Sequence, residues 1–219
     1  MEWIRSAANR STRCRRSRRI SNWTTWTSRA VANFAALYDA CVLHPPAIRD
    51  LLMRLALTDL FRAKWSGDIH QEWMRSVRRQ RPDITWETLE HVRGLMDANV
   101  RDCLVDGYEE LIPALTLPDA NDRHVLAAAI RGQADVIVTY DLRDFPRSAL
   151  SRYGIEAQHP DEFVSHLIDL DASKVLAAVR EQRAGLMKPP VDALAFVERL
   201  EARELTQTGA FLRNSLRLI

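Results

Sequence analysis

The sequence predicts an α/β fold, in which helices flank a small, mainly parallel sheet and an all-helical extension follows at the C-terminal end. Two short apolar runs have the character of strands, Phe34–Leu43 and Ala134–Tyr140, and the second is rich in β-branched residues. Stretches with helical spacing separate the two runs, and this alternation is typical of parallel sheets. Beyond Pro160 the spacing is helical only, which indicates an extension added to the α/β part.

These patterns divide the chain into three parts. Residues 1–30 form a basic leader that we expect to be disordered, residues 31–160 form the α/β domain, and residues 161–219 form the helical extension. The leader holds eight arginines and one acid, a formal charge of +7, so the remainder of the chain carries −5 of the net +2. Three tryptophans lie among these arginines. Such an arm is suited to binding phosphates and stacking on bases, although an extension without a role fits the same composition.

The first apolar run is nearly continuous, which predicts a strand that is buried on both faces. Ser66 and Thr85 each precede a stretch of helical spacing and are therefore predicted to cap a helix. Asn121 or Asp119 has the same position before a further stretch. The helices predicted in this part of the chain are residues 47–60, 67–79, 86–100 and one that ends at Ile130.

The second apolar run is the strongest strand of the sequence, and Asp141–Asp144 form its exit loop. Ile155–Gln158 is predicted as one more short strand. The stretch at residues 108–117 is ambiguous because Pro113 interrupts it. The helices predicted in the extension are residues 161–170, 172–184, 190–201 and 204–217. Their apolar side chains would either cover the α/β domain or form a dimer face.

The composition excludes several classes of protein. With 47% hydrophobic and 27% charged residues the chain is neither wholly disordered nor a cysteine-rich scaffold. The sequence contains no run of 18 apolar residues, so it predicts no transmembrane helix. The chain has only seven glycines and contains neither GxGxxG nor GxxxxGK(S/T), which argues against a glycine-rich loop that binds nucleotide phosphates. Three isolated cysteines and no secretory leader indicate a reducing, cytoplasmic compartment and inert, buried thiols.

Acidic residues follow the predicted strands. Asp39 lies late in the first strand, and Asp141 directly follows the second. Asp119 and Asp122 open a helix after another short extended segment, and Glu72 lies on a helix able to flank the same edge. Because sites in parallel sheets gather at the carboxyl ends of the strands, we expect these side chains to converge.

Converging carboxylates raise one another's pKa values unless a positive charge lies among them. Asp39 is the least easily explained of them, since a single acid in an apolar strand is costly without compensation. Mg²⁺ or Mn²⁺ prefers oxygen ligands and can acidify water and neutralise a phosphoryl oxygen. The sequence therefore predicts a divalent-metal site whose chemistry suits phosphodiester hydrolysis.

Three segments carry a family resemblance: YDACVL, WSGDIHQEW and DANDRHVLAAAIRGQADVIVTYDLRDFP. They resemble the PIN-domain ribonucleases, and within that family the VapC-type toxin branch with a helical C-terminal extension. The resemblance covers roughly residues 35–160, and the PDEF and KPP motifs of the tail are similar to the same branch. It implies a three-layer PIN-like fold, with a PIN-like nuclease domain at residues 31–160.

The resemblance also implies roles for individual residues. It assigns the catalytic, Mg²⁺- or Mn²⁺-binding quartet to Asp39, Glu72, Asp122 and Asp141. Residues implied as ancillary to the site are Asp119, Asp144 and Thr139. Residues implied to contact RNA are Arg123, Arg143 and Arg147. We expect His124 on the helix surface or behind the metal ligands, and Trp65 and Trp73 in the core.

By resemblance, the protein is a metal-dependent endoribonuclease, the toxin of a type II toxin–antitoxin pair that acts on structured RNA such as tRNA. The implied partners are the RNA, a cognate antitoxin and a second copy of the chain. The alternatives are a housekeeping RNA-processing nuclease and a non-catalytic PIN-like module that binds protein or RNA. A haloacid-dehalogenase-like phosphatase would need a second acid two residues after Asp39, where Cys41 stands.

Overall fold

The computed structural model describes residues 34–187 and 189–219. The leader at residues 1–30 lies outside the described residues, so its predicted disorder and role stay predictions. The strands of the described part are β1 Ala35–Tyr38, β2 Arg62–Ser66, β3 Leu104–Val105, β4 Val136–Val138 and β5 Glu156–Gln158. They form one five-stranded sheet in the order β3-β2-β1-β4-β5, and every pair is parallel. The predicted α/β class is confirmed.

Helices connect and follow the strands. The helices of the described part are α1 Ala40–Leu43, α2 Pro46–Ala56, α3 Gly67–Gln80, α4 Trp86–Asn99, α5 Arg123–Arg131, α6 Arg147–Leu150, α7 Pro160–Ala184, α8 Ala193–Glu201 and α9 Thr206–Arg213. Short 3₁₀ helices occupy Glu109–Ala114, Ala120–Asp122 and Ser151–Tyr153. In the part of the chain that the structure describes, no helix combines the length and the apolar character needed to cross a membrane.

Two predicted helix caps are confirmed. The hydroxyl of Ser66 accepts a hydrogen bond from the Ile69 backbone N–H at 3.3 Å, and that of Thr85 accepts one from Thr88 at 3.2 Å. These bonds satisfy N–H groups that the first helical turn leaves without intrahelical partners, which fixes where α3 and α4 begin. Asp119 caps the 3₁₀ turn ahead of α5, accepting from the Asn121 N–H at 2.8 Å, rather than α5 itself.

The predicted strand at residues 34–43 is wrong in its second half. β1 ends at Tyr38, and Ala40–Leu43 form α1, so Asp39 lies after the strand and not inside it. Asp39 caps α1, with Oδ1 accepting from the Ala40 N–H at 2.6 Å. Both elements are mostly buried, and a continuous apolar run does not distinguish a buried strand from a buried helix.

Aromatic side chains form the centre of the core between the sheet and the first helix of the extension. Tyr38 stacks on Trp65 with ring centroids 6.1 Å apart, and Phe61 meets Phe163 edge-on at 5.0 Å. Trp65 and Trp73 are fully buried, as predicted. Since Phe163 belongs to α7, the extension contributes directly to the core of the α/β part.

The extension covers the α/β part through α7, which packs against α2, while α9 packs on both α7 and α8. The backbone of Asp171 is non-helical (φ −159°, ψ 88°), so α7 is broken where the sequence predicts a boundary between two helices. Buried Leu167, Val175 and Val179 face the protein interior. The covering role of the extension is therefore supported, while its role as a dimer face stays a prediction.

Candidate active site

The pairing of β1 with β4 positions the first predicted acid. Tyr38 is aligned with Val138, so Asp39 and Thr139 follow side by side at the carboxyl ends of the two strands. The Asp39 N–H donates to the Val138 carbonyl at 3.1 Å, and the Thr139 hydroxyl donates to Asp39 Oδ2 at 2.7 Å. Asp39 is only 6% exposed. The fold thus holds one carboxylate, with a fixed orientation, at the edge of the sheet.

Cys41 also belongs to this site, although no pattern in the sequence predicted it. Its thiol donates to Asp39 Oδ2 at 3.2 Å and accepts from the Tyr140 N–H at 3.2 Å. Burial, followed by the neighbouring charge of Asp39, raises the pKa of the Cys41 thiol well above its usual value. The thiol is therefore neutral, and it ties the start of α1 to the residue that follows Thr139. A neutral thiol agrees with the predicted inertness, but the contacts of Cys41 with Asp39 and Tyr140 were not predicted.

Asp141 completes a compact group of metal-ligand atoms. Its backbone N–H donates to the Thr139 hydroxyl at 3.0 Å, which keeps the exit loop of β4 close to the strand end. One ligand atom each of Asp39, Cys41 and Asp141 lies within 4.8 Å of the others. Among the described residues, this is the cluster of His, Cys, Asp and Glu side chains close enough to hold one metal ion. Asp141 itself is exposed, so the cluster opens to solvent.

The remaining predicted acids influence the pKa values of Asp39 and Asp122. The pKa of Asp122 is raised to about 7, first by burial and then by the negative charges around it. Those charges belong to Asp39, Asp119, Asp144 and Glu72. The pKa of Asp39 is raised mainly by burial, with Glu72 adding to the rise. Glu72 and Asp122 are thus near enough to Asp39 to interact with its charge, but the ligand atoms that lie within 4.8 Å of one another belong to Asp39, Cys41 and Asp141, so the metal-binding role of the quartet stays a prediction.

His124 lies beside Glu72. Its Nε2 is 3.4 Å from Glu72 Oε2, whereas its Nδ1 is buried and has no hydrogen-bond partner among the described residues. Burial lowers the pKa of His124, but Glu72, Asp68 and Asp39 together raise it above the usual value. The predicted place behind the metal ligands fits this geometry. The contact with Glu72 depends on how α3 and α5 lie in the fold, and no sequence signal indicated it.

The three predicted RNA-contacting arginines lie on the segments that carry the acids. Arg123 follows Asp122, and its Nε donates to the Ala120 carbonyl at 2.8 Å. Arg143 lies in the loop after Asp141, and Arg147 begins α6; both are exposed. Their contact with RNA stays a prediction.

The donor set suits a hard divalent cation. Carboxylate oxygens dominate the cluster, and Mg²⁺ and Mn²⁺ prefer oxygen ligands. Burial, and after it the negative charges nearby, raise the pKa values of Asp39 and Asp122. A bound cation would relieve the same repulsion that protonation relieves.

Two family models match separate parts of the chain. Residues 35–143 match the family model of the PIN domain, and residues 160–214 match that of the VapC50 C-terminal domain. A protein of Mycobacterium tuberculosis (strain ATCC 25618 / H37Rv), named "Putative ribonuclease VapC50", is 43% identical over 84 residues. The match covers 38% of this chain and 49% of that protein, so the chain spans about half the length of this curated relative. No solved structure matches the chain significantly.

Proposed function

Because the chain belongs to the PIN-domain family and carries a VapC50 C-terminal domain, we propose that it is a metal-dependent endoribonuclease that hydrolyses RNA phosphodiester bonds. The observation that supports this most strongly is the convergence of acids on Asp39. A ligand atom of Asp141 lies within 4.8 Å of one from Asp39, and Asp122 and Glu72 act on the same place electrostatically. The relative from Mycobacterium tuberculosis is named as a ribonuclease, which agrees with this chemistry.

The proposed ligands of Mg²⁺ or Mn²⁺ are Asp39, Glu72, Asp122 and Asp141, with Asp119 and Asp144 as ancillary acids. When bound, such a cation acidifies water and neutralises charge that develops on phosphoryl oxygens. Asp39 has little freedom in this arrangement, because Ala40, Thr139 and Cys41 all donate hydrogen bonds to its two oxygens. Burial and the neighbouring carboxylates raise the pKa of Asp122 to about 7, a rise that the positive charge of a bound cation would oppose.

RNA would approach the solvent-open side of the cluster, where Asp141 is exposed. We propose that Arg123, Arg143 and Arg147 hold phosphates beside the acids, because cationic side chains offset the repulsion between a polyanion and an acidic site. The proposed role is that of the toxin in a type II toxin–antitoxin pair. This role includes structured RNA such as tRNA as the substrate, a cognate antitoxin as inhibitor, a homodimer and a cytoplasmic site of action.

Paired substitutions test the nuclease. Asp39→Asn and Asp122→Asn each remove one charge at nearly constant volume and should abolish most RNA cleavage in Mg²⁺ or Mn²⁺. Asp169→Asn, an exposed acid on α7, is the matched control and should cleave like the wild type. Undiminished cleavage by both site variants would exclude these carboxylates as the catalytic group.

A growth assay separates the toxin from a housekeeping nuclease. Induced expression of the wild-type chain should arrest growth, whereas expression of Asp39→Asn should not, because the arrest would require RNA cleavage. Cleavage in the test tube without growth arrest would favour housekeeping RNA processing over the toxin role.

A further inference from the structure

We propose that His124 is a positioning residue, whose Nε2 holds the carboxylate of Glu72 toward the metal-binding acids. The inference rests on the proposed function, since it assumes that Glu72 acts as a metal ligand. It assigns His124 no proton transfer and no contact with RNA.

Glu72 needs such a partner because little else restrains it. Its side chain is 47% exposed, and its negative charge and those of Asp39 and Asp122 repel one another. Within residues 34–187 and 189–219, His124 supplies the basic nitrogen within ion-pairing distance of Glu72, at 3.4 Å. Without this contact, a long and flexible side chain would lose rotamer freedom each time it bound a cation.

The other ring nitrogen of His124 argues against a merely structural role. Nδ1 is buried and makes no hydrogen bond within the part of the chain that the structure describes, so the ring does not join two parts of this core. An apolar side chain of similar size would avoid the cost of an unpartnered polar atom. The polar contact that His124 does make is the one with Glu72. The imidazole is therefore best explained by the reach of Nε2 to the Glu72 carboxylate.

Orientation of a ligand by a partner outside the metal's own coordination is a general device. Carboxylate and histidine ligands are commonly fixed by such hydrogen bonds, and loss of the partner typically weakens metal affinity 10- to 100-fold. Here the partner comes from α5, directly after Asp122, and the ligand from α3. One residue would thus link two of the proposed ligands that are 50 positions apart.

Binding of Mn²⁺ alone to the full chain, measured by calorimetry, tests the proposal without any RNA. His124→Gln retains an amide near the position of Nε2, whereas His124→Asn is too short to reach Glu72. We expect the Asn variant to bind Mn²⁺ about 10-fold more weakly or worse, and the Gln variant to recover most of the affinity. His91→Asn, the same change on the exposed side of α4, should bind Mn²⁺ like the wild type.

A double variant separates positioning from a general effect on folding. In a Glu72→Gln background the further change His124→Asn should leave Mn²⁺ affinity nearly unchanged, because the carboxylate to be positioned is already gone. Additive losses of Mn²⁺ affinity would overturn the positioning role of His124 but not the metal site. The same conclusion would follow if His124→Asn bound Mn²⁺ like the wild type while Asp39→Asn bound it weakly. Equal Mn²⁺ binding by the wild type and Asp39→Asn would overturn the metal site, and the positioning role with it.

Discussion

Thr139 and Asp39 are 100 positions apart in the sequence, and the hydroxyl of the first donates a 2.7 Å hydrogen bond to Oδ2 of the second. The same hydroxyl accepts from the Asp141 N–H at 3.0 Å. One buried threonine therefore orients a carboxylate at the end of β1 and the loop that carries another. The parallel pairing of β1 with β4 makes this contact possible, since it aligns the two strand ends.

Replacing Thr139 by valine should destabilise the protein by about 1–3 kcal/mol, because the Asp141 N–H loses its acceptor and Asp39 Oδ2 keeps only the weaker Cys41 thiol as a donor. Valine has nearly the same shape, so packing alone would change little. Urea unfolding measures the free energy of unfolding, and Thr139→Ser, which keeps the hydroxyl, is the control. A valine variant as stable as the serine variant would contradict the importance of this hydrogen bond.

The Cys41 thiol connects the same two strand ends at a second point. Cys41→Ala should cost about 1–3 kcal/mol, since the Tyr140 N–H loses its acceptor, and should also weaken Mn²⁺ binding through Asp39. The control is Cys103→Ala. It removes a buried thiol whose hydrogen bond to the Asp97 carbonyl is long, at 3.8 Å. The Cys103 variant is expected to lose stability only. Equal Mn²⁺ affinities for the two variants would remove Cys41 from the site.

Elements with strong local signals could be predicted from the sequence. The helices α3 and α4 have hydroxyl caps and regular spacing, and β4 is short and β-branched. β2 and β3 could not be predicted in this way. Arg62–Ser66 mixes exposed and buried side chains, and Leu104–Val105 has two residues, so both are strands because of their pairing with neighbours.

Some residues of the site could likewise be predicted from the sequence, whereas others could not. Asp39, Asp122 and Asp141 could be inferred because each lies at a boundary between elements, where a parallel sheet collects its functional groups. Cys41 depends on α1 turning its first residues back toward Asp39, and the run at residues 34–43 concealed that helix. The contact between His124 and Glu72 depends on the arrangement of α3 and α5. Only the tertiary structure contains that information.

Asp122 should make the metal-free protein less stable as the pH rises. Its pKa is raised from 3.8 to about 7, so its contribution to stability is complete below pH 3.8 and is lost as the pH rises through 7. At pH 8 and without divalent cations, Asp122→Asn should therefore be more stable than the wild type. Because the side chain is only partly buried, we expect a gain of about 1–2 kcal/mol.

Divalent cations should make the wild type more stable than Asp122→Asn. Mn²⁺ that binds only the folded state stabilises the wild type by mass action, and the Asn variant would gain less because it lacks one ligand. Thermal melts at pH 8 with and without Mn²⁺ measure both effects. A variant less stable than the wild type in the absence of metal would show that repulsion at Asp122 is unimportant.

The buried ring of His70 should make the protein sensitive to acid. Its Nδ1 accepts from Trp73 Nε1 at 2.9 Å, and its Nε2 lies 2.9 Å from Asp97 Oδ1. Burial lowers the pKa of His70 below the usual 6.5, although Asp97 opposes this shift. The stabilising contribution is therefore present above pH 6.5 and is lost as the pH falls further.

Comparison with His70→Gln isolates this group, because glutamine keeps polar atoms but does not titrate. The advantage of the wild type in urea unfolding should shrink between pH 7.5 and pH 5. Other titrating groups, His124 among them, are common to both proteins and cancel in the difference. An advantage that grows as the pH falls would mean that the pKa of His70 is raised and not lowered.

Asp161 anchors the end of the extension. Its carboxylate is buried and accepts from the backbone N–H groups of Gln207 at 2.8 Å and Thr208 at 2.9 Å, where α9 begins. Asp161→Ala leaves both donors without this partner and should cost about 1–3 kcal/mol. The loss should be greatest in α9, so trypsin should cleave after Arg213 sooner than in the wild type. Asp169 is an exposed acid on the same helix, so Asp169→Ala should leave the cleavage rate unchanged. Equal rates in the wild type and both variants would show that α9 is held by its apolar contacts alone.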